Sequence, residues 1–359
     1  MINRLICRKA LYRRRPLTIL KAMPPHFDPV LVNDPFGDAG LYVDLVFQKR
    51  AVLFDLGDHA NVSARKLLRV SDIFVTHRHM DHFAGFDSLL RLLIGREKTL
   101  SIFGPPGMID AIEHKLNAYT WNLVEGYDGN LVVRAVDVDA TGRMSAAEFA
   151  GHSRFARADC ACAQYDGGLL LKEPDFQIRT VTLDHGVPVL GFALEERMEI
   201  NILRDRVERM GLAVGPWLRS FKDAILREAA DDEPIDVLFR CEAVGQAAKL
   251  PLGALRREIM KSGPGRKIAY VVDCAFTPEN GEKIVGLAQN ADIFFIEATF
   301  LDADAGVAAA RRHLTARQAG WLARRAGAKR LVTLHYSPRY KKAGDLLAVE
   351  AQRAFLKDY

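Results

Sequence analysis

Phe74-Val75-Thr76-His77-Arg78-His79-Met80-Asp81-His82-Phe83-Ala84-Gly85 sets three histidines and an aspartate in the pattern H-x-H-x-D-H. The apolar run Asp72-Ile73-Phe74-Val75 reads as a buried strand, and Phe86, Leu89, Leu90, Leu92 and Leu93 recur at helical spacing. His77, His79, Asp81 and His82 therefore lie in a tight turn between strand and helix, where rigid elements converge side chains on one point. Imidazole and carboxylate are ligands for divalent zinc, iron and manganese. His77 and His79 can turn toward one ion, and Asp81 and His82 then face a neighbouring site. The spacing suits two metals better than one. A polar turn enriched in histidine by chance is the competing reading, and the flanking strand and helix disfavour it.

The H-x-H-x-D-H turn is the signature of the metallo-β-lactamase superfamily, and the chain resembles that family here. The resemblance implies a four-layer αββα fold of the α/β class with a dinuclear metal centre between two β-sheets. It also places the remaining ligands at the ends of later strands.

Composition is consistent with such a fold. The 359 residues, 49% of them hydrophobic, suffice for one large domain with a sizeable core. No run of 18 uncharged apolar residues appears, so neither a transmembrane helix nor a membrane partner is expected. Five scattered cysteines (Cys7, Cys160, Cys162, Cys241, Cys274) suit a reducing compartment, which makes a cytoplasmic location the expectation. Cys160-Ala161-Cys162 lacks a second ligand pair and reads as incidental thiols. The net charge of +5 belongs to a basic N-terminal extension over residues 1–27, which holds seven Lys or Arg and no acid. Residues 28–359 carry 43 basic against 45 acidic residues. The tail reads as a solvated extension without the apolar core of a signal peptide.

Along the chain, strand-like runs repeatedly end on a ligand-type residue. Ala51-Val52-Leu53-Phe54 ends on Asp55, and Leu53-Phe54-Asp55-Leu56-Gly57-Asp58 resembles the family's first motif, which implies that Asp55 supports the metal loop by orienting a ligand histidine from behind. His114 sits among Ile112, Leu116 and Tyr119 without ligand spacing and reads as structural. Thr180-Val181-Thr182-Leu183-Asp184 delivers His185 into a Gly/Pro turn. Lys267 to Val272 ends on Asp273, Asp292 to Ile296 on Glu297, and Arg330 to Leu334 on His335.

Three motifs narrow the resemblance to the ribonuclease Z family, whose members trim the 3′ trailer of precursor tRNA. Glu297-Ala298-Thr299 resembles its His-Glu-Ala-Thr motif, and His313-Leu314-Thr315-Ala316-Arg317-Gln318-Ala319 its His-Ser-Thr-x-x-Gln-Ala motif. His335-Tyr336-Ser337-Pro338-Arg339-Tyr340 resembles its C-terminal metal motif. The resemblance implies that His77, His79 and His185 hold one metal, and Asp81, His82 and His335 the other, with Asp273 between them. Zinc is the first expectation, with manganese and iron also admitted by the ligand types. It further implies a bridging hydroxide that attacks phosphorus, Asp81 orienting or deprotonating it, and His313 with Glu297 as general acid. A homodimer is implied as well.

From Ala305 to Gly344 there are ten Lys or Arg and no acid, which favours an anionic substrate. Arg339, beside the ligand turn, is the candidate phosphate contact. Three features depart from the family. Ile296 replaces the first histidine of the Glu297 motif, and Asp34-Pro35-Phe36-Gly37-Asp38 stands where a Gly-Thr-Gly turn is usual. The tRNA-gripping arm is reduced to an insertion at about 198–236 in the domain spanning 28–359. It reads as helices over Ile202–Met210 and Trp217–Ala229, and residues 223–236 hold six acids against Arg227. Two enzymatic readings stay open: an RNA phosphodiesterase acting on precursor tRNA, and a sibling hydrolase of a small phosphodiester or other ester. A metal-bound protein that binds RNA without turnover is disfavoured by the complete ligand set.

Overall fold

A computed structural model describes residues 27–357 apart from Phe47, Asp166 and residues 241–246. Strands β1 (Phe27–Leu31), β2 (Leu41–Leu45), β3 (Arg50–Phe54), β4 (Val70–Phe74), β5 (Lys98–Gly104), β6 (Leu131–Val138) and β7 (Arg143–Ala150) form one sheet in sequence order. The short β8 (Arg157–Asp159) and β9 (Ala163–Gln164) both pair with β7. β3 to β6 run parallel. Helices α1 (Ala64–Leu67), α2 (Met80–Phe83), α3 (Phe86–Leu93) and α4 (Met108–Asn117) lie along the same stretch of chain. Strand alternation divides β3 between two cores. Ala51 and Leu53 pack with Leu89, Leu93 and Ile112 of the helices, while Val52 and Phe54 face the second sheet.

The second sheet opens with β10 (Leu169–Lys172), β11 (Phe176–Asp184) and β12 (Pro188–Glu196). The chain then leaves it for a module of β13 (Met198–Ile202), α5 (Arg204–Arg209), α6 (Trp217–Leu226), β14 (Pro234–Leu238), β15 (Ala247–Pro251), α7 (Leu252–Ile259) and β16 (Met260–Pro264). It returns as β17 (Lys267–Val271), α8 (Pro278–Leu287), β18 (Ile293–Glu297), α9 (Ala305–Ala310), α10 (Ala316–Arg325), β19 (Leu331–Leu334) and α11 (Gly344–Leu356). The strand order is β10-β11-β12-β17-β18-β19. Tyr270 and Phe295 look inward, whereas Ala269, Val271, Phe294 and Ile296 pack on Ile284, Leu322 and Leu347 of the outer helices. Helix, sheet, sheet and helix stack into the four-layer αββα arrangement of a metallo-β-lactamase fold.

The inserted module reaches further than its sequence suggests. It runs to Pro264, because β13 pairs with β16 and β14 with β15, each needing a return strand beyond residue 236. Its own core gathers Trp217, Phe221, Leu252, Leu255 and Ile259. Its helices are shorter than expected, ending at Arg209 and Leu226. Several of its acids are paired: Glu228 meets Arg197 at 2.7 Å, Asp231 meets Arg256 at 3.7 Å, and Glu233 meets Arg227. The basic extension expected over residues 1–27 lies outside the described residues except for Phe27, which is buried in β1 against Phe176.

Between the sheets, Phe54 is 1% exposed and its ring centroid lies 5.6–5.7 Å from those of Phe74, Phe192 and Tyr270. This aromatic cluster locks the two sheets together just beneath Asp55. Truncating Phe54→Ala is expected to cost about 3–5 kcal/mol of unfolding free energy in a urea titration. A change below about 1 kcal/mol would show that the seam is not packed in this way.

Candidate metal centre

The ligand-type residues converge because parallel strands end on the same edge of the sandwich. β3 and β4 run into Asp55 and the His77–His82 turn, while β17, β18 and β19 run into Asp273, Glu297 and His335. His185 enters from the β11–β12 hairpin, which meets the first sheet through Leu190 N–H donating to the Thr76 carbonyl at 2.9 Å. The His77–His82 turn folds tightly onto the β3 end. Leu56 N–H donates to the His82 carbonyl and Gly85 N–H to the Leu56 carbonyl, both at 2.8 Å. A Cβ on Gly57 would strike the Asp81 carbonyl, and one on Gly85 the Gly57 carbonyl.

Three groups of donors result among the described residues, each with ligand atoms within 4.8 Å of one another: Asp273, Glu297, His313 and His335 form one, His77, His79, His185 and Asp273 another, and Asp81, His82 and His335 the last. Asp273 lies between the last two: its Oδ2 is 3.5 Å from His77 Nε2, 3.4 Å from His82 Nε2 and 3.8 Å from His185 Nε2. Its Oδ1 is 3.0 Å from His335 Nδ1. Asp81 Oδ2 approaches His335 Nε2 at 3.2 Å and His82 Nε2 at 3.4 Å. Burial pushes the Asp273 carboxyl up, but His335 and His82 beside it outweigh burial and hold it well below the usual carboxylate range. His77 goes the other way, lowered by burial and by the neighbouring imidazoles, so it stays neutral with a lone pair to give.

The donor set fits divalent metal. His77 Nε2 and His82 Nε2 are buried without a hydrogen-bond partner among the described residues. Leaving two such atoms unpaired in a protein interior costs about 1–3 kcal/mol each, which coordination to a cation removes.

The ligands are oriented from behind. Asp55 accepts from Thr76 N–H (2.7 Å), Thr76 Oγ1 (2.9 Å) and Tyr270 Oη (2.9 Å), and its Oδ2 lies 2.9 Å from His82 Nδ1. The His82 ring is thereby turned with Nε2 toward Asp273. His185 Nδ1 is held 2.8 Å from the Arg312 carbonyl, and Arg312 is itself paired with Asp184 at 2.9 Å. Asp55, Asp273 and His335 are all left-handed, with φ of 59°, 53° and 58°. This conformation is unfavourable for residues with a Cβ and clusters at functional sites.

Glu297 and His313 form a separate device. Glu297 is fully buried; its Oε1 accepts from Cys274 N–H at 2.7 Å and its Oε2 from Thr299 Oγ1 at 2.6 Å. His313 Nδ1 lies 2.8 Å from the same Oε2 and 3.8 Å from Asp273 Oδ1. Burial lowers the His313 pKa, but Glu297 and Asp273 outweigh it and raise the value. Glu297 lies within reach of Asp273 and His335, and its oxygens already engage Cys274, Thr299 and His313. Arg339 stacks over Phe300 at 5.1 Å and stands 3.6 Å from Asp304; Phe300 in turn faces His313 at 6.1 Å.

Sequence reading did not single out Thr76, Tyr270, Asn280 or Arg312. Tyr270 alone carries a local signal, a hydroxyl on the inward face of an otherwise apolar strand. Asn280, which accepts from Asp184 N–H at 3.0 Å and donates to the Ala275 carbonyl at 2.9 Å, ties the His185 turn to the Asp273 turn across the sequence. Ile296, at the position of the missing motif histidine, points into the outer helical core, away from the ligands.

Residues 41–197 and 245–336 match the family model of the Beta-lactamase superfamily domain. Ribonuclease Z of Deinococcus radiodurans is 29% identical over 318 residues, covering 87% of this chain and 91% of that protein. Ribonuclease BN of Proteus mirabilis is 30% identical over 316 residues, covering 84% of each. The crystal structure of the short form of human tRNase Z superposes with a TM-score of 0.50 at 20% identity, covering 87% of this chain and 93% of that one. Divalent-metal binding follows from the fold together with the clustered donors.

If Asp55 orients His82, Asp55→Ala should weaken metal affinity about 10- to 100-fold in a competitive chelator titration. An unchanged affinity would show that His82 needs no support from behind.

Proposed function

The chain belongs to the β-lactamase superfamily, in its ribonuclease Z-like branch, and on that footing we propose that it is a metal-dependent phosphodiesterase that removes the 3′ trailer of precursor tRNA. The observation that carries this reading is the Glu297–His313 pair beside the ligand groups of His77 and of Asp81. A general acid held next to paired cations is what a phosphodiester with a poor leaving group requires.

Each residue then has a task. His77, His79 and His185 would hold one divalent ion and Asp81, His82 and His335 the second, with Asp273 available to both; zinc fits the imidazole-rich set first, then manganese or iron. The bound ions supply Lewis acidity toward the phosphoryl oxygens and lower the pKa of water. Asp81, half-exposed at the mouth of the site, would orient the attacking water or accept its proton. His313 gives its proton to the departing ribose oxygen, and Glu297 keeps the ring charged and aimed. Arg339, held by Phe300 and Asp304, meets a flanking phosphate.

The placement of the Met198–Pro264 module favours keeping a second reading. The module leaves β12 at Glu196 and returns at Lys267, the ends of those strands remote from His185 and Asp273. Nine residues of β12 separate the two ends, roughly 30 Å at 3.4 Å per residue. Within one subunit the module does not overhang the metal centre, so a small phosphodiester or other ester could reach the site unassisted. In a homodimer, the module of one copy could serve the centre of the other.

Zinc- or manganese-loaded protein should cut a 3′-extended tRNA near the discriminator base. His313→Ala should lower that turnover by about 10²- to 10⁴-fold while retaining its metal. Hydrolysis of bis(p-nitrophenyl) phosphate with the tRNA left intact would establish the small-ester reading instead.

A further inference from the structure

The outer helical layer carries an aromatic and cationic surface that the metal centre does not use. Helix α10 buries Ala316, Ala319, Gly320, Leu322 and Ala323, and turns Arg317, Trp321 and Arg325 outward at helical spacing. Trp321 is 41% exposed and Phe276 44% exposed, and their rings pack edge-on at 5.8 Å. The Arg325 guanidinium lies over the indole, 4.7 Å from its centroid. Phe276, Gln318, Trp321, Arg324, Arg325 and Lys357 line a groove of about 610 Å³.

Both segments of this surface lead back along the chain to residues of the site. Phe276 follows Asp273 by three residues, and α10 begins three residues after His313 through the Thr315 capping box. The acid in the groove, Asp302, is engaged by Arg317 at 3.0 Å and by Thr315 at 3.3 Å. The groove therefore presents stacking rings and positive charge, and its one carboxylate is already committed.

We infer that Phe276, Trp321 and Arg325 form a stacking platform for the single-stranded segment of the RNA that flanks the scissile bond. The inference rests on the RNA reading above and adds to it a site for unpaired bases. Aromatic faces accept any base, and an arginine stacked on them pairs with the intervening phosphate. The ten-residue helix is about 15 Å long at 1.5 Å per residue, enough to lead a few nucleotides away from His313. A second copy of the chain fits this surface less well. A twofold interface opposes a patch to itself, and here it would press Arg324 and Arg325 against their own copies.

The test uses zinc-loaded protein carrying His313→Ala, so that RNA is bound without being consumed, and a short fluorescein-labelled single-stranded RNA read by anisotropy. Trp321→Ala should weaken binding between about 5- and 100-fold, the range of one lost base stack. Trp321→Phe should keep most of the affinity, and Arg325→Ala should weaken binding and flatten its salt dependence. Trp321→Ala in the parent enzyme should hydrolyse bis(p-nitrophenyl) phosphate as the parent does, which shows an intact fold and metal centre. RNA affinity unchanged by Trp321→Ala overturns the platform and leaves the RNA reading standing. Parent protein that neither binds nor cuts RNA overturns both. A dimer that dissociates on Trp321→Ala in sedimentation, with RNA affinity unaltered, assigns the surface to self-association and overturns the platform.

Discussion

The architecture depends on where one carboxylate is placed. Asp273 is 2% exposed, at the end of a central strand of the second sheet, and imidazoles from three other elements close on it. A buried anion is tolerated only when positive charge or donors surround it. The two sheets must therefore meet in one register. The His77–His82 turn of the first sheet brings His77 and His82 to Asp273 Oδ2, and β19 of the second brings His335 to Oδ1. A slip along the seam would strip Oδ2 of His77 and His82 and leave the carboxylate with His335 and His185, which share its sheet. The Phe54, Phe74, Phe192 and Tyr270 cluster beneath resists that slip.

Around this carboxylate the chain accepts local strain. Asp55, Asp273 and His335 end their strands in left-handed conformations that cost about 1–3 kcal/mol each. The kink turns a side chain out of the strand's alternation and into the space between sheets. The bonds that hold these kinks are the ones that orient the ligands. Asp55 gathers Thr76, His82 and Tyr270, and Thr299 joins Glu297 to the His335 carbonyl at 2.9 Å. Positioning and strain relief are thus the same contacts.

The strand ends that carry the site were readable in the sequence because they depend on short-range pattern, and the αββα layering was implied by the family resemblance of the motifs they carry. An apolar run ending on His, Asp or Glu announces itself within a few residues. What connects those ends is long-range and left no local trace. Tyr270 reaches Asp55 across 215 positions, and His185 leans on the carbonyl of Arg312 across 127. The extent of the inserted module was hidden for the same reason, since β13 and β14 look complete until their partners β16 and β15 are known. Part of its acidity is offset by arginines. Glu228 and Asp231 find Arg197 and Arg256, which lie outside the acidic stretch. The basic stretch from Ala305 to Gly344 shrinks in the same way, because Arg312, Arg317, Lys329 and Arg339 stand against Asp184, Asp302, Asp292 and Asp304.

The account turns on Asp273 being shared by two ions, and anomalous scattering from zinc-soaked crystals tests that most directly. Two peaks are predicted on either side of its carboxylate, at roughly 2.0–2.2 Å from their ligand atoms. One should touch His77, His79 and His185, and the other Asp81, His82 and His335. A single peak, or a second ion seated on Glu297 and His313, would contradict it.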